Sequence, residues 1–476
     1  MTMQKKMIDI TNLTIESASK LLSKKEIKTT ELTGLFLDRA KELNEKLNCF
    51  ITLTSEYALA QAQKVDALIA DNQKLSPLMG IPTAIKDLFS TSGVKTTAAS
   101  KVLEDYIPVY DATVVSKLKD ANTVFIGKTN LDAWAHGSSG ENSDFGKTKN
   151  PYDLERVPGG SSSGSAASVA ASCALASTGT DTGGSIRLPA AFCNLVGLKP
   201  TYGLVSRYGI IAMASSLDTI GHFTKTVYDN ALILNVTAGQ DFFDATTSAK
   251  REKDYTTEIE RGVKGKKLGL PKEYFQGLNT KIKETILTAV KKLEDLGCQI
   301  IDISLPHTEY GIAVYYIIQP SEVSSNLARY DGIRFGNPRE KFGSEAKRRI
   351  ILGTYTLSSG YYDAYYLKAM KVRRLIRQDF EEAFKKIDFM IMPTSPTPPF
   401  KLGEKVDDPL VMYLSDIYTT SINLAGIPSL NVPCGFLENL PVGMQIVGPD
   451  FSEKLLYQVG HAYERETQWY KQKPKI

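Results

Sequence analysis

Three stretches of this chain hold serine and lysine where their chemistry can be changed: Gly80-Ile-Pro-Thr-Ala-Ile-Lys86, Gly159-Gly-Ser161-Ser-Ser-Gly-Ser165 and Thr180-Asp-Thr-Gly-Gly-Ser185-Ile-Arg187. A serine hydroxyl is a poor nucleophile until a base takes its proton, and a lysine can be that base only where burial lowers its pKa toward neutrality. An apolar strand ending in Lys86 supplies such a setting. The oxyanion of an attacked amide also needs preorganised donors. In Thr182-Gly183-Gly184-Ser185 two residues without Cβ let successive backbone N–H groups turn toward one point, so this run is the candidate oxyanion hole. Taken singly, the same residues have plainer readings: Lys86 as a solvated strand-end lysine, Ser161 as a turn residue, Ser185 as the N-cap of a helix starting at Ile186.

Other motifs fail on detail. Two Gly-Lys-Thr triplets, at 127–129 and 146–148, lack the glycine that a phosphate loop needs five residues earlier, where Asn122 and Glu141 stand. The histidines His136, His222, His307 and His461 are isolated, without ligand spacing, so no metal is assigned. Ser92-x-x-Lys95 and Ser116-x-x-Lys119 have no accompanying Lys-Thr-Gly. Gly160-Ser-Ser-Ser-Gly164 matches a nucleophile elbow centred on Ser162, but the elbow needs a hydrophobic strand leading into it. Here the preceding stretch is polar and broken by Pro151 and Pro158.

The elements that must position these residues read as α/β. Residues 13–70 carry apolar positions at helical spacing and predict two or three amphipathic helices. Short apolar segments at 80–85 and 123–127 alternate with helical stretches such as 112–121. Residues 159–176 are almost all Gly, Ser and Ala, and the part after Ser165 suits a tightly packed buried helix better than a linker. Residues 266–304 predict strand, helix to about Leu296, and strand; a helical stretch follows over 345–386, then a buried strand from Asp388. Apolar strands at 429–433 and 443–447 and a helix from Ser452 complete the order. The 57 basic and 53 acidic residues nearly balance, so no global field points to nucleic acid or a membrane surface. Cys49, Cys173, Cys193, Cys298 and Cys434 lie far apart, which fits a reducing cytoplasm. Residues 1–10 contain two lysines and no apolar core of a signal, and about 18 apolar residues never run uninterrupted, so neither secretion nor membrane insertion is expected.

Together the three serine and lysine segments resemble the amidase-signature family. The resemblance implies an α/β fold, a mixed sheet covered by helices on both sides, with N-terminal helices over about 8–70, the signature core over about 78–228 and the remainder completing sheet and pocket. It implies that Ser185 attacks the amide carbonyl, Ser161 relays the proton after a cis Gly160–Ser161 peptide, and Lys86 is the base. The spacing of the two serines matches the family's without a gap. Beyond this core, Lys149-Asn-Pro-Tyr-Asp-Leu-Glu-Arg-Val-Pro-Gly-Gly160, Gly197-Leu-Lys-Pro-Thr-Tyr-Gly-Leu-Val-Ser-Arg-Tyr-Gly209, Ser324-Ser-Asn-Leu-Ala-Arg-Tyr-Asp-Gly332 and Lys347-Arg-Arg-Ile-Ile-Leu-Gly-Thr-Tyr355 are similar to the A-subunit family of the glutamyl-tRNA(Gln)/aspartyl-tRNA(Asn) amidotransferases.

That resemblance implies a glutaminase that passes ammonia to a B subunit, which uses ATP and magnesium on the misacylated tRNA, with a C subunit bracing the pair. This chain itself would hold no cofactor. A glutamine pocket needs a partner for the carboxylate and one for the ammonium. By resemblance these fall on Arg349, with Arg348 as the neighbouring alternative, and on Asp416, with Tyr316 lining the pocket. Three departures stand out: a short segment between Phe335-Gly336 and Phe342-Gly343, Ser163 where glycine is usual, and His222 where proline is usual. A stand-alone amidase for another small amide, and a silent scaffold that binds partner subunits or tRNA, are the rival readings.

Overall fold

Apolar residues recur every three to four positions between 15 and 47, and in the computed structural model, which describes residues 8–71, 76–334 and 336–476, they are what the first helices bury. Helix α1 (Ile15–Ser23) turns Ile15, Ala18 and Leu22 inward, and α2 (Thr29–Leu47) does so with Leu32, Phe36, Ala40, Leu43 and Leu47. Asn48 ends α2 in the left-handed conformation. A strand not foreseen from the sequence follows, β1 (Phe50–Leu53), before α3 (Ser55–Ala70). Four residues with one buried side chain carry too little alternation to be read as a strand. The reading of the N-terminus lies largely outside the described residues, as does Phe335. No helix among the described residues is long and apolar enough to cross a membrane.

The chain then runs β2 (Pro82–Lys86), α4 (Thr113–Asp120), β3 (Val124–Thr129), α5 (Ser163–Ala170), β4 (Ala176–Asp181), α6 (Arg187–Phe192), β5 (Val196–Lys199), β6 (Thr219–Thr224) and α7 (Val227–Thr237). Next come β7 (Lys267–Pro271), α8 (Thr280–Asp295), β8 (Gln299–Ile303), α9 (Gly311–Asn326), α10 (Ser344–Thr356), α11 (Lys368–Ala383) and β9 (Phe389–Pro393). Short α12 (Pro409–Tyr413) and α13 (Thr420–Ala425), the hairpin β10 (Ser429–Leu437) and β11 (Leu440–Val447), and α14 (Glu453–Thr467) finish it. Among the described residues the strands form one eleven-stranded sheet in the order β1-β3-β2-β4-β6-β5-β10-β11-β9-β7-β8. It is mixed: β2 runs parallel to β3 and β4, and β7 parallel to β8 and β9, while the other pairs are antiparallel. Helices flank it, so this is the α/β architecture the sequence predicts.

Two details position the site. Every residue of β2 and β4 is buried, as in strands covered on both faces. Every residue of α5 is buried as well, and a Cβ at Gly164 would stand 2.3 Å from the Cys49 carbonyl oxygen, so small residues are what let this helix seat against the sheet. The expected helix over 345–386 is instead broken. The Ser358 amide and hydroxyl both donate to the Tyr355 carbonyl, at 3.1 and 2.7 Å, and Gly360 takes a φ of 86° before a π-helical turn at Tyr362–Leu367 leads into α11. The C-terminal strands are longer than expected, joined through Glu438 and Asn439, both at positive φ, as a tight hairpin requires. All five cysteines are free and buried.

Candidate active site

Strand β2 lies inside the sheet between β3 and β4 and ends on Lys86, whose exposure is 0%. The Nζ is held by three hydroxyls: Ser161 Oγ at 3.0 Å, Ser162 Oγ at 2.8 Å and Thr180 Oγ1 at 2.7 Å. Burial pulls its pKa from 10.5 down to about 7, against the opposing pull of the carboxylates of Asp132, Asp218 and Asp181. Near neutral pH a large fraction of this amine is therefore free to accept a proton. The solvated-lysine reading does not hold.

Ser161 follows a cis Gly160–Ser161 peptide, as the resemblance implies. Ser185 lies on the next wall: the Ser162 amide donates to the Ser185 carbonyl at 3.3 Å. The Ser185 hydroxyl makes no hydrogen bond to the described residues and is 8% exposed, the open end of the constellation. No hydrogen bond joins the Ser161 and Ser185 hydroxyls. Nor does Ser185 cap a helix, because Ile186 occupies that position of α6 without a side-chain bond. Ser162, the elbow candidate, is fully buried, accepts from Lys86, and donates to the Thr180 carbonyl at 3.2 Å.

The amides of Gly183, Gly184 and Ser185 donate to no acceptor among the described residues, which leaves three N–H groups beside the Ser185 hydroxyl. Thr182 anchors the run through its hydroxyl, which donates to Asp218 at 2.7 Å. Gly184 has a φ of 141°, and a Cβ there would stand 2.4 Å from Thr419 Oγ1; the Thr419 hydroxyl itself donates to the Gly183 carbonyl at 2.5 Å. Below this turn the Arg187 guanidinium grips Asp181 in a two-point ion pair, Nε to Oδ2 and Nη2 to Oδ1 both at 3.0 Å. Burial raises the Asp181 pKa, but Arg187 outweighs it and holds the group at about 2.

Arg349 and Asp416, far apart in sequence, meet at Tyr316. The Tyr316 hydroxyl donates to Asp416 Oδ2 at 3.2 Å, and the Arg349 guanidinium lies 5.5 Å from the centroid of the Tyr316 ring and 5.6 Å from that of Tyr413. The two tyrosines stack at 3.7 Å. Arg349 is 2% exposed, with Nε on Glu345 at 2.8 Å and Nη2 on the Gly137 carbonyl at 3.3 Å. Arg348 is much more exposed, pairs with Glu345 and faces the rim, so geometry puts Arg349 and not its neighbour beside Asp416. Asp416 is buried, which raises its pKa to about 6, and accepts from Ser138 at 2.7 Å.

A cavity of about 250 Å³ lies between Asp132, Ser138, Glu345 and Tyr413 at this end. A larger one, about 900 Å³, lies elsewhere, among Tyr106, Tyr110, Arg329 and Tyr330, and holds none of the predicted site residues. The short segment after Gly336 borders that larger cavity, with the Asn337 amide on the Val102 carbonyl at 2.7 Å, and does not wall Arg349. Ser163 starts α5, and His222 is buried on β6 with Nε2 2.8 Å from Thr237 Oγ1. Among the described residues no group of His, Cys, Asp or Glu is placed to hold a metal.

Sequence reasoning missed Ser162 and Thr180 as partners of Lys86, and Asp132, Ser138, Glu345 and Tyr413 altogether. The run of three serines and the threonine inside the motif were available signals for the first two. Glu345 stands four residues before Arg349, a helical ion-pair spacing that was also available; Ser138 and Tyr413 matter through contacts distant in sequence, and Asp132 through a loop that no motif marks.

A family model described as Amidase matches residues 31–457. The chain is 53% identical to the A subunit of the glutamyl-tRNA(Gln) amidotransferase of Carboxydothermus hydrogenoformans, over 98% of this chain and 99% of that one. It is 55% identical to the protein of the same name from Heliobacterium modesticaldum, over 96% and 97%. The crystal structure of the corresponding A subunit from Thermotoga maritima, again of a glutamyl-tRNA(Gln) amidotransferase, superposes with a TM-score of 0.83 at 45% identity, covering 96% of this chain and 95% of that one. The native peptide amidase of Stenotrophomonas maltophilia also gives 0.83, at 31% identity, over 96% and 97%.

Proposed function

This chain belongs to the amidase-signature family, and from that premise we propose that it is the glutamine-hydrolysing subunit of a tRNA-dependent amidotransferase, with Ser185 as nucleophile, Ser161 as relay and Lys86 as base. The observation that carries the reading is a buried amine, poised near neutrality, 3.0 Å from the Ser161 hydroxyl. Lys86 takes the Ser161 proton as Ser161 takes that of Ser185, and Ser185 Oγ adds to the side-chain amide carbon of glutamine. The N–H groups of Thr182, Gly183, Gly184 and Ser185 receive the oxyanion. Collapse returns the proton through Ser161 to the leaving nitrogen, freeing ammonia and leaving a glutamyl ester on Ser185. Water, deprotonated along the same route, then releases glutamate.

Arg349 takes the glutamine carboxylate, Asp416 its ammonium, and Tyr316 bridges the two. An arginine and an aspartate buried together select for a zwitterion, which favours glutamine over a plain amide. The ammonia serves a B subunit that activates Glu-tRNA(Gln), and Asp-tRNA(Asn) by the same chemistry, with ATP and magnesium; a C subunit completes a heterotrimer in the cytoplasm. This chain contacts glutamine, its partner subunits use the tRNA, and it holds no cofactor of its own. The near-complete match to subunits of that name supports this assignment.

The test is ammonia release from glutamine by the purified chain, alone and with its B and C subunits, for wild type and Ser185→Ala. Serine-dependent turnover that rises with the partners is the expected result. Hydrolysis of other amides without glutamine turnover replaces this reading with that of a stand-alone amidase.

A further inference from the structure

Asp132 lies outside every motif of the sequence, yet it touches both halves of the site. Its backbone N–H donates to the Ser161 carbonyl at 3.1 Å. Its carboxylate accepts the Gly140 amide at 3.0 Å on either oxygen and the Asn142 amide at 2.9 Å on Oδ1. It is fully buried and in no ion pair among the described residues. Burial raises its pKa to about 7, while the amides of Asn142 and Gly140 favour the charged form. The loop it grips is the one whose Gly137 carbonyl meets Arg349 and whose Ser138 hydroxyl meets Asp416. The same loop returns to the catalytic turn, where the Gly160 amide donates to the Ser138 carbonyl at 2.7 Å. Packing at this junction leaves no slack: a Cβ on Gly160 would stand 1.9 Å from Asp132 Oδ2, and one on Gly137 would stand 2.9 Å from the same oxygen.

We propose that Asp132 is a positioning residue for the reaction, a buried carboxylate that locks the Ser161 turn to the 137–142 loop so that proton relay and substrate pocket share one frame. The inference rests on the functional reading above. Such a group must accept from several amides at once without carrying a side-chain donor of its own, which the ionised form of aspartate does and asparagine cannot. Its charge also acts on Lys86, which is faced by the carboxylates of Asp132, Asp181 and Asp218 and by the hydroxyls of Ser161, Ser162 and Thr180.

The experiment compares Asp132→Asn with wild type in the assembled enzyme, on glutamine and on a small amide lacking a carboxylate. In the variant the new side-chain amide sets a donor against the Gly140 N–H. A displacement of the turn then lowers kcat on both substrates by about 10- to 100-fold, and KM rises for glutamine only. Loss of one of the three carboxylates also moves the acid limb of kcat/KM to lower pH, a shift that a purely structural defect does not produce. Gly160→Ala, whose methyl must push the carboxylate aside, serves as the second variant if Asp132→Asn does not fold; the same fall in kcat on both substrates is expected. Wild-type kcat on the small amide in a folded variant overturns the proposal, whatever happens to KM for glutamine. If wild type hydrolyses the small amide but not glutamine, the functional reading fails and the small-amide comparison still decides the role of Asp132.

Discussion

Replacing Lys86 with methionine separates stability from activity in a way that only a buried, neutral lysine produces. In the folded chain the amine titrates near 7, whereas in the unfolded chain it does so near 10.5. Between those values the unfolded state binds the extra proton, so the wild type gains stability as pH rises through this window; below about 7 the amine is protonated in both states and the cost of burying its charge is fully present. From about pH 7 to pH 9 the gain is about 2 kcal/mol, close to one proton over two pH units less the part already released at neutrality. Lys86→Met has no such term, and the other depressed lysines, Lys128, Lys199 and Lys225, are common to both proteins and cancel in the comparison. The assay is urea unfolding of both proteins at several pH values across this range. The expected result is a stability difference that moves by about 2 kcal/mol in favour of wild type as pH rises, with kcat lost by about 10²- to 10⁴-fold in the variant. Two stability curves that run parallel would refute the reasoning, because a lysine that keeps its solution pKa cannot be the base at neutral pH.

Three further outcomes follow from contacts at the site. Gly184→Ala sets a methyl 2.4 Å from Thr419 Oγ1 at a φ of 141°, and the displaced oxyanion donors lower kcat by about 100-fold with KM nearly unchanged, measurable on any amide substrate. Arg349→Lys keeps the charge but loses the planar fork that lies against the stacked Tyr316 and Tyr413, so KM for glutamine rises about tenfold or more, while steady-state rates on an amide without a carboxylate stay unchanged. Arg187→Met leaves Asp181 buried without its partner and costs about 3–5 kcal/mol in urea unfolding; a loss under about 1 kcal/mol would show that Asn423, which also donates to Asp181, closes the gap.

Much of this protein was legible in its residues taken in order. The helical spacing from Leu32 to Leu47, the apolar run into Lys86, and the small residues after Ser165 each predict an element that is present, because each is set by which face must be buried and how closely backbones must approach. Local chemistry also marks the turn at Thr182–Ser185, where adjacent glycines leave amides free. Sequence was silent where structure depends on few residues or on competition. β1 is four residues long, and the break after Thr356 is decided by Ser358 drawing on the Tyr355 carbonyl rather than by any change in hydrophobic pattern.

What only the tertiary structure decides is the electrical and geometric state of the groups that pattern can name. A lysine after an apolar strand becomes a weak base because folding buries it completely and sets the Thr180 hydroxyl of β4 and the Ser161 and Ser162 hydroxyls of the turn before α5 where water would otherwise be. Arg348 and Arg349 are equal in sequence; the rotation of α10 turns one to solvent and lays the other against two stacked tyrosines. Asp132 acquires a role through two amides and a carbonyl belonging to loops that its own sequence neighbourhood does not specify. Residue type and period fix which elements form, because they depend on neighbours a few positions away. Burial, charge pairing and the meeting of loops depend on residues brought close only by folding, and there the order of residues alone carries no distance.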